Sequence, residues 1–136
     1  MKVLKVGRIR VRVPDEVEVL EVCDLDELYG HSSMKTRADA LIVLRGGDRV
    51  IAAIVEDTGR PEPRDFERLN NTLRDLIEKR LVRPSMVVLK VLHHKGFKTG
   101  KALLLSLARA FKVELQECRS KATDLCLILR KRRLLS

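Results

Sequence analysis

Polar and apolar residues alternate over residues 5 to 13, with Arg8, Arg10 and Arg12 on one side and Ile9, Val11 and Val13 on the other. A period of two predicts a half-buried strand, ended by Pro14. The following stretch to His31 is acidic, and its apolar residues Val17, Leu20, Leu25 and Leu28 are irregularly spaced. Asp24 is a candidate cap for a short helix beginning near Leu25, Gly30 would close it, and 31–37 reads as a loop. Two apolar runs, 38–44 and 49–55, flank Gly46-Gly47-Asp48 and predict a β-hairpin. After a loop holding Pro61 and Pro63, a helix starts at Asp65. Phe66, Leu69, Leu73, Leu76, Ile77 and Leu81 recur at three and four residues to about Val82, before Pro84. A Val- and Leu-rich strand over 85–92, a polar turn at His93-His94-Lys95-Gly96 and a helix over 99–111 come next. Strands follow at 113–116 and at 125–129, the latter apolar on both faces as in a sheet covered from both sides. The order β, α, β, β, α, β, α, β, β predicts the α/β class, with a mixed β-sheet flanked by helices.

At 136 residues the chain fits one domain, 1–136. No apolar run approaches the roughly 18 residues of a bilayer span. Residues 1–14 also lack the apolar stretch of a secretion signal, so the expected location is the cytoplasm, away from membranes. Cys23, Cys118 and Cys126 form no CxxC pair, which points to buried free thiols rather than disulfides or zinc. One Gln, two Asn and an excess of Arg over Lys suggest a thermophile.

The net charge of +9 is unevenly placed: residues 1–89 carry 16 basic and 16 acidic side chains, residues 90–136 carry 12 and 3. This asymmetry suggests an anionic partner, with a solvated surface as the alternative. The aromatic residues are Tyr29, Phe66, Phe97 and Phe111, too few for a base-stacking platform. Contact with the phosphate backbone of nucleic acid is therefore expected, DNA ahead of RNA. Lys95-Gly96-Phe97-Lys98-Thr99-Gly100-Lys101-Ala102 is one residue short of a P-loop and has Ala after its last Lys, which excludes an NTPase. Its lysines, Lys95, Lys98 and Lys101, still make a fair anion site at a helix start. The basic tail Arg130, Lys131, Arg132 and the Arg8, Arg10, Arg12 stripe are backbone-binding or solvated. His93 and His94 fall on opposite faces of their strand end and read as ordinary surface histidines, with a catalytic or metal role for one of them as the alternative. Leu103, Leu104, Leu105 and Leu107 give a wide apolar face whose surplus row could serve a homodimer.

Burying a carboxylate is costly unless it is paired or binds a cation, and two acids sit in apolar strands, Asp39 and Glu56. In the predicted hairpin they lie near the same end, where two carboxylates could share Mg²⁺ (or Mn²⁺) for phosphodiester hydrolysis. Alternatively each marks a strand end and is solvated or paired to Arg37 or Arg60. A slip of one residue would put Asp57 in the place of Glu56.

An acidic short helix with Glu27, then Asp39 opening a hydrophobic hairpin, Glu56 ending its second strand, and a helix with a further β-unit resemble the PD-(D/E)xK nuclease superfamily over about residues 24–111. The resemblance implies a restriction-endonuclease-like αβββαβ core. By the same likeness Asp39 and Glu56 hold Mg²⁺, and Glu27 stands where a helix glutamate sometimes joins them. The family's Lys two residues after the Glu is replaced here by Thr58, which shares the face of Glu56 but carries no charge. Either a neighbour such as Lys35, Arg60 or Lys90 supplies the cation, or the protein keeps the fold as a non-catalytic nucleic-acid-binding or assembly protein.

Overall fold

A computed structural model describes residues 1–30, 37–117 and 121–135. Its elements run β1 (Lys2–Val6), β2 (Ile9–Val13), β3 (Glu18–Asp24), α1 (Leu25–Tyr29), β4 (Ala40–Gly46), β5 (Arg49–Asp57), α2 (Pro63–Glu78), β6 (Val87–His94), α3 (Lys101–Phe111), β7 (Val113–Glu117), β8 (Ala122–Asp124) and α4 (Leu125–Lys131). The α/β class is as expected. The strands form two sheets, one ordered β3-β4-β5-β6-β7 and the other β1-β2-β8. In the larger sheet β3, β4 and β5 are an antiparallel meander, and β6 and β7 continue it in parallel through the crossover helices α2 and α3.

Alternation along β4 and β5 separates two cores. Ala40, Ile42, Leu44, Ala53 and Val55 face the small sheet and α4, packing with Ile9, Val11, Val13, Leu125 and Leu129. Leu41, Val43, Ala52 and Ile54 face the helices, meeting Leu25 of α1, Phe66, Leu69 and Leu76 of α2, and Leu104 of α3. Both faces of the central strands are dry, as a parallel crossover demands.

Several expectations are corrected. The alternating run at residues 5–13 is a hairpin rather than one strand: Val6 pairs with Ile9 across a turn of Gly7 and Arg8. Gly7 is required there, having φ +57° and an ideal Cβ position only 2.8 Å from Asp24 Oδ2. The acidic stretch before α1 contains β3, whose register shifts between Val19 and Glu21. Consequently the short helix lies between the first two strands of the meander instead of leading three strands. Its caps are as expected: Asp24 accepts from the backbone N–H groups of Asp26 and Glu27, and Gly30 closes it at φ 77°.

Helix α2 starts at Pro63 and ends at Glu78, short of Val82. Pro63 takes the first turn, where no N–H is needed. The Glu62 N–H donates to Asp65 at 2.7 Å. At the far end Arg80 has φ +60°, and Leu81 and Val82 donate back to the Leu76 carbonyl. The polar turn begins later than expected, because β6 includes both histidines, and these are buried within the fold rather than on its surface. Residues 125–129 are a helix rather than a strand: Asp124 accepts from Cys126 N–H at 2.9 Å and Leu127 N–H at 3.4 Å, capping α4. Burial pushes the Cys126 thiol up to about 11, an inert free thiol, and Cys23 is half-buried and also free. Cys118 lies outside the described residues. Leu103 and Leu105 stay exposed on α3 while Leu104 is buried. No helix among the described residues is long and apolar enough to cross a membrane.

Candidate functional site

The start of β4 and the end of β5 meet at one edge of the large sheet, since Ala40 pairs with Val55. Asp39 and Glu56 therefore continue the side of Leu41 and Ile54 and share the helix-facing surface. Asp57 takes the opposite surface, where its carboxylate lies 3.1 Å from His93 Nδ1. A carboxylate can only accept, so Nδ1 carries the proton in this pair. Asp39 and Glu56 are 3% and 1% exposed, so each needs compensation.

That compensation comes from a residue which pattern reading assigned to a solvated stripe. Arg8, at the tip of the β1–β2 hairpin, places Nη2 3.0 Å from Asp39 Oδ2 and 3.9 Å from Glu56 Oε1, and donates to the Asp57 carbonyl at 2.8 Å. The same Asp39 oxygen accepts the Asp57 N–H at 2.8 Å. From α2, Arg68 Nη1 comes within 4.0 Å of Glu56 Oε2 and 3.3 Å of Asp65 Oδ1. Burial holds the Asp65 carboxyl above the usual carboxylate range. The sequence signals for Arg8 were Gly7, a glycine in the middle of an alternating run, and the change of phase between Val6 and Ile9 on either side of it.

The donor types of Asp39 and Glu56 suit a hard cation such as Mg²⁺ or Mn²⁺. Yet the position between them is taken by the Arg8 guanidinium, so a divalent cation at Asp39 Oδ2 and Arg8 exclude one another. Glu27 is exposed on α1. Among the described residues no three His, Cys, Asp or Glu are grouped to hold a metal ion.

The entry into β4 is fixed from α2. Ala38 N–H donates to Thr72 Oγ1 at 2.9 Å, and that hydroxyl donates to the Arg68 carbonyl at 2.7 Å. One residue earlier, Arg37 Nε and Nη2 both reach Asp75 Oδ2, at 3.0 and 2.9 Å. This hydrogen-bonded guanidinium holds the Asp75 carboxyl below the usual range. A carboxyl lowered by folding stabilises fully above its unfolded pKa, and the contribution is lost as pH falls through the folded value. Arg37→Gln should therefore lose less stability than wild type on acidification below about pH 4 in urea melts, and equal losses would refute the coupling.

Beyond the carboxylates the edge becomes basic. The pairing of β5 and β6 extends past their ends: Thr58 N–H donates to the His93 carbonyl at 2.9 Å and Lys95 N–H to the Gly59 carbonyl at 3.0 Å. His94 is buried, accepts the Gly96 N–H at Nδ1 (3.1 Å), and packs on Phe97 with centroids 4.7 Å apart. Burial lowers its pKa, which keeps the ring neutral and structural. Gly96, at φ +129°, leaves room for the Arg60 guanidinium, 3.2 Å from where a Cβ would sit. Lys101 Nζ lies 5.8 Å from the Phe97 ring centroid. Lys95, Lys98 and Lys101 are exposed.

The remaining sequence-predicted residues fall elsewhere. Arg130 pairs with Glu16 at 3.6 Å, and Lys131 and Arg132 pair with Glu114 at 3.7 and 2.8 Å. Of the cations considered for the place of the missing Lys, Arg60 lies beside Gly96, Lys90 is partly buried on β6 within reach of the Lys112 charge, and Lys35 lies outside the described residues. No protein-family model, curated protein or solved structure matches the chain.

Proposed function

We propose that the protein binds nucleic acid, DNA ahead of RNA, across the carboxylate-bearing end of its large sheet, as a nuclease-like binding protein. The observation that carries this reading is the placement of Lys95, Lys98, Lys101 and Arg60 together beyond β5 and β6, exposed and without an ion pair among the described residues. Cations left unpaired at the C-terminal ends of parallel strands, with free N–H groups at the start of α3, suit phosphate oxygens. An antiparallel meander joined through a helix to a parallel fourth strand is the part of a restriction-endonuclease-like core that supports this reading, while the short helix departs from it by lying inside the meander. Arg8 balances the buried acids from within, so binding needs no divalent cation.

Replacing Lys95, Lys98 and Lys101 by Gln should reduce the slope of log affinity against log salt by about 2–3, since each phosphate contact contributes roughly 0.9. Duplex titrations over a salt series, with and without Mg²⁺, measure this. A slope equal to that of wild type would remove the loop from the interface.

A second reading, Mg²⁺-dependent phosphodiester hydrolysis, is favoured by the shared face of Asp39 and Glu56. Those two residues would hold the cation, and the chemistry it supplies is activation of water for attack on phosphorus. Arg8 would have to leave Asp39 and is half exposed, at a hairpin tip, where such a movement is cheap. Calorimetric titration of Mn²⁺ into wild type and Glu56→Ala decides: binding lost in the variant supports hydrolysis, and no binding to either supports the arginine-balanced binder.

A further inference from the structure

A second basic surface lies toward the other end of β7. Between α3, β7 and α4 runs an open groove of about 570 Å³. Arg109 and Lys112 come from α3 and its cap, Lys131 and Arg132 from α4 and its cap, with Glu114 on the floor beside Leu115. Glu114 is shared by Lys131 and Arg132, while Arg109 and Lys112 make no ion pair among the described residues. Behind them Lys90 is partly buried on β6, opposite Val113 in register.

We propose that this groove is a second phosphate-binding surface that takes the backbone of a nucleic-acid duplex, deepening the binding function inferred above and resting on it. The cations stand on both walls of an open channel rather than converging on one point, which fits an extended anion with spaced charges better than a single phosphate. Burial first, and the neighbouring Lys112 charge second, lower the Lys90 pKa. Phosphates along the groove would meet Arg109 and Lys112 directly, and Glu114 offsets a single charge. The groove also explains the excess of positive charge in the last third of the chain, which the loop at 95–101 holds only in part.

The test is fluorescence anisotropy of a labelled short duplex over a salt series, using wild type, Arg109→Gln/Lys112→Asn, and the Lys95/Lys98/Lys101→Gln variant. Asn suits position 112, whose φ is +56°, and circular dichroism melts check that each variant folds. The groove variant is expected to lose about 2 from the salt slope, roughly 0.9 per contact. An unchanged slope in the groove variant, with a reduced one in the loop variant, overturns the groove and leaves the loop interface standing. The reverse pattern supports the groove and removes the loop. Inorganic tripolyphosphate held through Arg109 and Lys112 without any duplex binding overturns the proposal in favour of a small polyphosphate. No binding of either probe at low salt overturns both surfaces.

Discussion

Asp39→Ala is expected to cost about 3 kcal/mol of stability, toward the lower end of what breaking a buried ion pair costs. Its carboxylate accepts both the Arg8 guanidinium and the Asp57 N–H, so removal leaves two donors without their acceptor. Because Arg8 is half exposed, water takes up part of the loss. Arg8→Ala should also destabilise, since it takes the guanidinium away from a carboxylate that is 3% exposed. The double variant should cost less than the two single losses together, the difference being a coupling of about 1–3 kcal/mol. Urea denaturation of the four proteins measures the cycle, and strict additivity would show that the pair is not coupled. The same variants separate arginine from metal. With the guanidinium gone, Mn²⁺ should bind Arg8→Ala about tenfold more tightly than wild type, a difference of about 1.4 kcal/mol. Equal affinities would refute the exclusion of a divalent cation by Arg8.

Phe66→Ala is the other change with a large expected effect. Phe66 is fully buried on α2, and its ring centroid is 6.4 Å from that of Phe111 at the end of α3. It thus joins the two crossover helices over the large sheet. Truncation should cost about 3–5 kcal/mol through lost transfer energy and the cavity left behind. For a chain of this size that lowers the melting temperature by about 10–20 °C. Arg68 rides on the same helix beside Glu56, so loosening α2 should also slacken the carboxylate edge. A melting temperature within about 3 °C of wild type would mean that α2 can collapse onto the sheet without this ring.

The legible parts of the fold are those where one signal dominates. Gly47 and Asp48 join β4 and β5 as a two-residue turn between apolar runs, and the spacing of Phe66, Leu69 and Leu76 marks the buried stripe of α2. Asp39 and Glu56 stand out because charge in a dry strand demands a reason, and their common face follows from alternation around that turn. Arg8 was hidden by reading one strand across the turn. Val6 and Ile9 share a face of the hairpin but would fall on opposite faces of a single strand, so the alternation changes phase at Gly7 and Arg8, a shift of one position in a short run. Strand β3 was hidden too: the register shift after Val19 breaks the period that would have announced it. In residues 125–129 apolar continuity suits a strand and a short helix equally. The deciding residue is Asp124, whose side chain occupies the first N–H groups of α4. The basic groove depends on α3 and α4 meeting across β7, a tertiary juxtaposition that no local pattern carries.

The small sheet gives the carboxylate edge an unusual dependence on chain order. Strand β2 is held on one side by β1 and on the other by β8, with Arg10 opposite Ala122. Closing that pair brings together residues more than one hundred positions apart, a slow contact because so long a loop must first be drawn shut. In chain order β1 and β2 precede Asp39 and Glu56, while β8, the second neighbour of β2, follows them. The hairpin that places the Arg8 guanidinium over the two acids is therefore completed by a pairing drawn from the far end of the fold. The charge balance at residues 39 and 56 is thereby tied to strand pairing at residue 122, so a change that loosens β8 should reach the carboxylate edge through the hairpin between them.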